Sequence, residues 1–167
     1  MAGCRLWENF RKRFRISSPA FSLGEPVADP ALISDSERLS RYVTDQKHFS
    51  VEKDQVGFRA FLPSPQSDEL SITRTQGLAE PDVWTFGAST VAAPSGRAIF
   101  ARGDFLAPHV RESFVEPWRL SVSPAEPPVR HALILGWPPV GESEIRKTLA
   151  QQLRARAKLQ VRPVSAS

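Results

Sequence analysis

His131 is the residue whose type and position best suit proton transfer. It lies in the segment 130–138, RHALILGWP, in which residues 132–135 are all apolar. Such a run is typical of a strand with both faces covered. A histidine at the edge of that strand can act as a general base or general acid, or it can cap the sheet and hydrogen-bond to a neighbour. Trp137, between a glycine and two prolines, is expected to pack in a corner of the fold.

Arg74 is the second residue that could take part in chemistry. The segment 70–75, LSITRT, alternates as in a strand and places Arg74 on the same face as Ile72. An arginine there could hold a phosphate or a carboxylate bidentately. It could also form a salt bridge, for which the candidates are Asp68, Glu69, Asp82 and Glu116. If Arg74 and His131 met in one cleft, they would suit a small nucleotide- or phosphate-handling enzyme.

The sequence lacks the motifs that would name a reaction. There is no phosphate-binding P-loop, no dinucleotide-binding glycine pattern and no G-x-S-x-G nucleophile turn. The histidines His48, His109 and His131 are scattered, and Cys4 is the single cysteine. Neither a metal site, a disulfide framework nor a cofactor is therefore expected.

The charge is divided into zones along the chain of 167 residues, whose formal net charge is +4. Residues 1–15 carry five basic and one acidic group, a net of +4. Residues 16–144 carry 11 basic and 17 acidic groups, a net of −6, and residues 145–167 carry six basic groups and no acid. The sequence therefore describes an acidic body between two basic ends, which bears on partners rather than on fold.

The basic N-terminal end has the pattern of an amphipathic helix. Its aromatic stripe is Trp7, Phe10 and Phe14, and Arg11 and Arg13 lie among them. These five residues are the candidate partner-binding set, and an unstructured leader is the alternative. The segment lacks the apolar core of a signal peptide, so a cytoplasmic location is expected and binding to a membrane surface is not.

The basic C-terminal end is predicted to be a helix over residues 145–157, since Ile145, Leu149 and Leu153 are spaced by four. Its positive side chains could bind DNA or RNA phosphates, the acidic body of a second copy, or solvent alone. The candidate nucleic-acid-binding residues are Arg146, Lys147, Arg154, Arg156 and Lys158.

Periodicity predicts an α+β fold with a small antiparallel or mixed sheet and helices packed mainly on one side. Helices are expected over residues 35–44, 81–91 and 145–157. Strands are expected over residues 56–62, 70–75, 97–102, 110–122 and 129–137. Residues 1–33 form a basic arm and proline-rich strap, 34–163 a single domain, and 164–167 a loose tail.

The stretch from about residue 39 to 161 resembles a family of small uncharacterised bacterial proteins. The matching residues are FLP at 61–63, the S-x-x-R-T of Ser71, Arg74 and Thr75, Trp84, and RHALILGWP at 130–138. The family occurs in genomic neighbourhoods of the mobile-element and host-defence kind. The resemblance implies a bacterial domain with an extra N-terminal arm, and it implies no reaction.

The leading functional hypothesis is a non-catalytic accessory or interaction subunit of a larger bacterial assembly, in a defence or mobile-element system. The arm, the proline-rich strap and the opposed charge zones favour a larger protein partner, and self-association is a further possibility. The alternatives are a nucleic-acid-binding protein that uses its two basic ends, and the small enzyme based on His131 and Arg74.

Overall fold

The computed structural model describes residues 33–163. The predicted arm and tail, with the candidate residues Trp7, Phe10, Arg11, Arg13 and Phe14, lie outside the described residues. Within the described part the chain is α+β, as predicted, with six antiparallel strands in one sheet.

The strands follow one another in antiparallel pairs. They are β1 (Arg38–Val43), β2 (Phe49–Ser50), β3 (Gln55–Val56), β4 (Leu70–Arg74), β5 (Ala101–Leu106), β6 (Phe114–Val115), β7 (Trp118–Arg119), β8 (Ser121–Pro124), β9 (His131–Leu135) and β10 (Lys158–Val161). The main sheet has the order β10-β5-β1-β4-β9-β8, and β2-β3 and β6-β7 form two small ladders. β9 is an interior strand, as its apolar run predicts.

The helices are α1 (Glu80–Gly87), α2 (Ala93–Ser95), α3 (Ala107–Arg111) and α4 (Ser143–Arg156). A π-helical stretch, Ala88–Ala92, joins α1 to α2. We call the continuous segment 80–95 the roof helix. Short 3₁₀ helices form at Gln46–His48 and Phe58–Phe61.

The two faces of the sheet differ in polarity because side chains alternate along each strand. One face, here the core face, carries Leu39, Ile72, Phe105 and Ile134 and packs against α4 and the 3₁₀ helix Phe58–Phe61. The other, here the polar face, carries Ser40, Tyr42, Arg102, Asp104 and His131. The roof helix covers part of it through a smaller apolar cluster of Tyr42, Val83, Trp84 and Ile99.

Three predicted elements are wrong, and one is displaced, since the strand predicted at 97–102 forms at Ala101–Leu106. Of the helix predicted at 35–44, residues 38–43 form β1 instead, because both faces of this interior strand are covered and its buried residues mimic a helical pattern. Residues 56–62 form the end of β3 and a 3₁₀ helix that begins after Gly57. Residues 110–122 begin inside α3, which carries Pro108 in its first turn, and continue as the β6-β7 ladder.

The turn after β9 requires glycine. Gly136 has φ +85°, and a Cβ atom built on it would lie 2.2 Å from the Arg119 carbonyl oxygen. The next residue, Trp137, is buried and its Nε1 donates to the Ile134 carbonyl at 3.1 Å. Trp137 is thus a packed corner residue, as predicted.

Gly136→Ala is expected to destabilise the protein far more than Gly77→Ala. Both positions have positive φ, which costs a non-glycine residue about 1 kcal/mol or more, but nothing lies within 4 Å of a Cβ at Gly77. The clash at Gly136 should add about 2 kcal/mol. Urea denaturation of the two variants measures the difference, and equal free energies of unfolding would contradict this account of the turn.

Candidate functional site

A cavity of about 340 Å³ lies between the polar face of the sheet and the roof helix. Hydroxyl and imidazole groups on three neighbouring strands form its floor: Ser40, Ser71, Thr73 and His131. The roof is mostly apolar and consists of Phe86, Thr90, Val91, Pro94 and Ser95. Pro128 and Val129 form its rim. The cavity therefore combines an apolar wall with a few convergent polar groups, which is typical of a small-molecule site.

The sheet register brings the floor residues together. Asp104 pairs with Ser40, Ser40 with Thr73, and Thr73 with His131, so four side chains form one row across β5, β1, β4 and β9. Ser71 is two residues before Thr73 on β4 and lies diagonally opposite His131. Diagonal neighbours of this kind are within reach of a long side chain.

Ser71 and His131 form a close polar pair at the floor of the cavity. The Oγ atom of Ser71 lies 2.7 Å from Nε2 of His131, and Nδ1 of His131 lies 2.9 Å from the carbonyl oxygen of Ala125. Since a carbonyl can only accept, Nδ1 carries the proton, and Nε2 of the neutral ring accepts from the Ser71 hydroxyl. This is the order of nucleophile, base and orienting group found in nucleophilic catalysis.

The loop between β8 and β9 holds the imidazole of His131 in place. The backbone N–H of Ala125 donates to the His131 carbonyl at 3.0 Å, and that of His131 donates to the Pro128 carbonyl at 3.1 Å. Arg130, directly before His131, has φ +64°. Its backbone N–H donates to the carboxylate of Glu126 at 3.0 Å, and its Nη1 donates to the Gln76 carbonyl at 2.9 Å. These contacts sustain a left-handed conformation that costs a non-glycine residue free energy.

Arg41 positions the backbone of Ser71 from the core face. Its Nη1 donates to the Ser71 carbonyl at 2.7 Å and its Nε to the Ala60 carbonyl at 2.9 Å. Burial lowers the pKa of Arg41 to about 10, so the guanidinium still carries its charge and all its protons at neutral pH. Ser71 is therefore held by both its backbone and its hydroxyl.

A buried arginine attaches the roof helix to the sheet. The side chain of Arg102 is only 1% exposed, and its Nη2 donates to Glu80 of α1 at 2.6 Å. Its Nε donates to Asp104 at 2.9 Å, and its guanidinium lies 4.4 Å from the centre of the Trp84 ring. Burial opposes the charge of Arg102, but the hydrogen bonds that it donates to Glu80 and Asp104 outweigh burial and raise its pKa. The hydrogen bond from Arg102 lowers the pKa of Glu80.

Tyr42 makes the second polar contact between sheet and roof helix. Its hydroxyl donates to the Val83 carbonyl at 2.6 Å, and its ring would clash with any Cβ at Gly87, 2.5 Å from its Cε1. The roof helix therefore lies directly on the tyrosine ring. Burial raises the pKa of the Tyr42 phenol well above its ordinary value.

Two of the predicted functional residues do not meet in this site. His131 is on the cavity floor, whereas Arg74 lies on the core face, since its neighbour Thr73 pairs with His131 and adjacent side chains alternate. Arg74 forms salt bridges with Glu37 at 3.3 Å and Glu126 at 3.9 Å. The salt bridge that was the alternative to ligand binding is therefore observed. Its partners differ from the four acids named from the sequence.

The basic residues of α4 and β10 have different roles. Arg146 is buried and its Nη2 donates to the Ser67 carbonyl at 2.9 Å. Arg156 donates to the His109 carbonyl at 3.2 Å and pairs with Glu112 at 3.5 Å. Lys147 lies 3.5 Å from Glu144, and Lys158 is exposed on the strand β10. Binding of phosphates by Arg154 and Lys158 stays a prediction, while Arg146 and Arg156 already have partners within the fold.

Ser71 is the site residue that sequence reasoning missed. The alternation of β4 does place Ser71, Thr73 and Thr75 on one face, but only the β4-β9 register shows that this face meets His131. In the described part of the chain no group of three or more His, Cys, Asp or Glu side chains could hold a metal ion. No helix among the described residues is long and apolar enough to cross a membrane.

No family model, curated protein or solved structure matches the chain. The resemblance to a bacterial family and the accessory-subunit role thus stay predictions.

The ionisation of Tyr42 should be coupled to unfolding. Tyr42 is the only tyrosine of the chain, and its raised pKa means that the folded protein keeps the phenol neutral where the unfolded chain ionises it. Stability is then unaffected by this group below pH about 10, the ordinary tyrosine pKa, and falls as the pH rises above it. Phenolate absorbance should appear together with the change in tryptophan fluorescence that reports unfolding.

Tyr42→Phe provides the control for this coupling. It should lower the free energy of unfolding at neutral pH by about 1 kcal/mol through loss of the hydrogen bond. It should also weaken the fall in stability above pH about 10. A phenolate that titrates with an ordinary pKa while the tryptophan signal stays native would show that Tyr42 is accessible in the fold.

Proposed function

We propose that the protein is a small hydrolase of esters, in which Ser71 is the nucleophile and His131 the general base. The observation that carries the proposal is the chain of contacts from the Ser71 hydroxyl through His131 to the Ala125 carbonyl, at the floor of a cavity. A serine hydroxyl needs such a base because it is a weak nucleophile at neutral pH. Because Nδ1 donates to the Ala125 carbonyl, Nε2 is the ring nitrogen that accepts the Ser71 hydroxyl proton.

The proposed reaction has two halves. Ser71 Oγ attacks the ester carbonyl carbon while its proton moves to Nε2 of His131, and the alcohol leaves with that proton, so the serine carries the acyl group. Water then attacks the acyl carbon, gives one proton to Nε2, and the acid leaves as the proton returns to Oγ. The net reaction is ester plus water to acid plus alcohol. We assign Thr73, next to His131 in the register, as the hydroxyl that donates to the developing oxyanion.

Hydrolysis of p-nitrophenyl acetate tests this function. Ser71→Ala should reduce the rate to that of buffer, and His131→Gln should reduce it by about 100-fold or more, the usual contribution of a general base. Ser121→Ala and His48→Gln serve as matched controls, because these side chains lie away from the cavity lining. Both controls should keep the wild-type rate.

A fluorophosphonate should label the same serine. Mass spectrometry of the intact protein and of its peptides is expected to find one adduct, on Ser71, which His131→Gln slows. A wild-type rate no higher than buffer, an unchanged rate in Ser71→Ala, or an adduct on another residue would refute the assignment.

An open sheet edge favours a second candidate, the protein-interaction role. Among the described residues β10 pairs only with β5, and Val161 on it is 45% exposed. An unpaired edge of this kind can add a strand from another chain. The partner would then extend the sheet at the side opposite β8 and leave the cavity unaffected.

Co-purification with the products of neighbouring genes at low salt tests the interaction role. Val161→Lys, which places a charge on the open edge, should weaken a complex formed there, and Val129→Lys, at the cavity rim, should not. Absence of any complex at micromolar concentration would count against the interaction role and leave the hydrolase proposal untouched.

A further inference from the structure

We infer that the cavity selects esters with a short, uncharged acyl group, and that Phe86 sets the length limit. This inference rests on the proposed hydrolase function and names its substrate class. The cavity volume of about 340 Å³ is near the lower end of the range for small-ligand pockets. A long acyl chain would have to displace the roof or leave the cavity.

The one charged side chain of the described lining, Arg41, is engaged with backbone carbonyls, so the lining offers no counter-charge to a charged ligand. Among the described residues, Arg41 and His131 are the only basic residues that line the cavity. The guanidinium of Arg41 is turned to the Ala60 and Ser71 carbonyls, and the imidazole of His131 is held by Ser71 and Ala125. The Tyr42 hydroxyl is likewise engaged with the Val83 carbonyl. A carboxylate carried into the cavity would lose its hydration without a counter-charge, which is costly.

Phe86 is the largest side chain of the roof, and its backbone carbonyl is bonded to the hydroxyls of the π-helical stretch. The Thr90 hydroxyl donates to the Phe86 carbonyl at 2.7 Å and the Ser89 hydroxyl at 2.9 Å. Single π-helical turns inside α-helices occur often at functional sites. The two hydroxyls therefore anchor the backbone of the residue whose ring lines the cavity.

The ring of Phe86 belongs to neither hydrophobic cluster of the described fold. It is half-buried and faces the cavity. Its removal therefore enlarges the cavity with a small effect on the core. Phe86→Ala separates substrate selection from folding better than a change at Val91, which packs against the smaller cluster.

A series of p-nitrophenyl esters tests the length limit. Wild-type protein should hydrolyse the acetate and butyrate with similar kcat/KM, and the octanoate at least about tenfold more slowly, since single methylenes change specificity by such factors. Phe86→Ala should raise the octanoate-to-acetate ratio about tenfold. Phe114→Ala, the same change on an exposed strand away from the cavity, should leave the ratio as in wild type.

A matched ester tests the exclusion of charge. Mono-p-nitrophenyl adipate, whose carboxylate is too distant for rapid self-cleavage, has the chain length of p-nitrophenyl hexanoate but ends in a charge. After subtraction of the buffer rate it should react at least about tenfold more slowly than the hexanoate, because no counter-charge faces it. Equal or faster hydrolysis of the adipate would overturn the neutral-substrate assignment.

The outcomes separate the inference from the proposed function. If all three acyl lengths react alike, or if Phe86→Ala leaves their ratio unchanged, while Ser71→Ala still abolishes hydrolysis, the length limit is wrong and the hydrolase stands. If none of the esters reacts above buffer, or Ser71→Ala retains the rate, the hydrolase and its substrate class are both refuted.

Discussion

The salt-bridged arginine at position 102 is the contact on which the arrangement of the polar face depends. Its guanidinium is buried, and a buried charge is tolerated only when it is paired and hydrogen-bonded. Asp104 comes from the same strand, but Glu80 comes from the first turn of the roof helix. The pairing therefore requires the helix to lie across the sheet at this place. Because α1 is fixed there, the rest of the roof helix extends over β1, β4 and β9. The space between it and these strands is the cavity.

The same constraint explains why polar side chains remain beneath the roof helix. Asp104 accepts from Ser40 at 2.5 Å as well as from Arg102, and Ser40 lies 3.1 Å from Thr75. In the sheet register, the row of polar side chains continues from Asp104 and Ser40 through Thr73 to His131. An apolar core would have closed tightly around the helix, whereas polar groups keep their hydrogen-bonding directions and leave room between floor and roof. Ser71 is the member of this group whose hydroxyl both contacts a base and faces open space.

Local pattern predicted some parts of this architecture and misled in others. The spacing of Leu149 and Leu153 predicted α4 within two residues, and the alternation of β4 and the apolar run of β9 predicted two interior strands. β1 was misread because Leu39 and Val43 face the core while Tyr42 packs beneath the roof helix, a two-sided burial that imitates helical spacing. Of the site, His131 was predicted, but its pairing with Ser71 was not. Ser71 and His131 are 60 positions apart, and their meeting depends on the β4-β9 register, which no local pattern contains.

Several arginines of the described residues are hydrogen-bonded to backbone carbonyls inside the fold. The prolines of the described residues lack a backbone N–H and cannot donate to nearby carbonyl groups. Seven arginines of the described chain donate to backbone carbonyls: Arg38, Arg41, Arg111, Arg119, Arg130, Arg146 and Arg156.

A guanidinium offers five donors in a rigid fork, so it can replace the amide donors that proline removes. Arg146 illustrates this use, since it joins the Ser67 and Pro138 carbonyls while it is buried. Such bonds leave the guanidinium charge unchanged, but they hold the buried Arg146 inside the fold, where it cannot contact a phosphate, whereas the cavity presents Ser71 and His131 together.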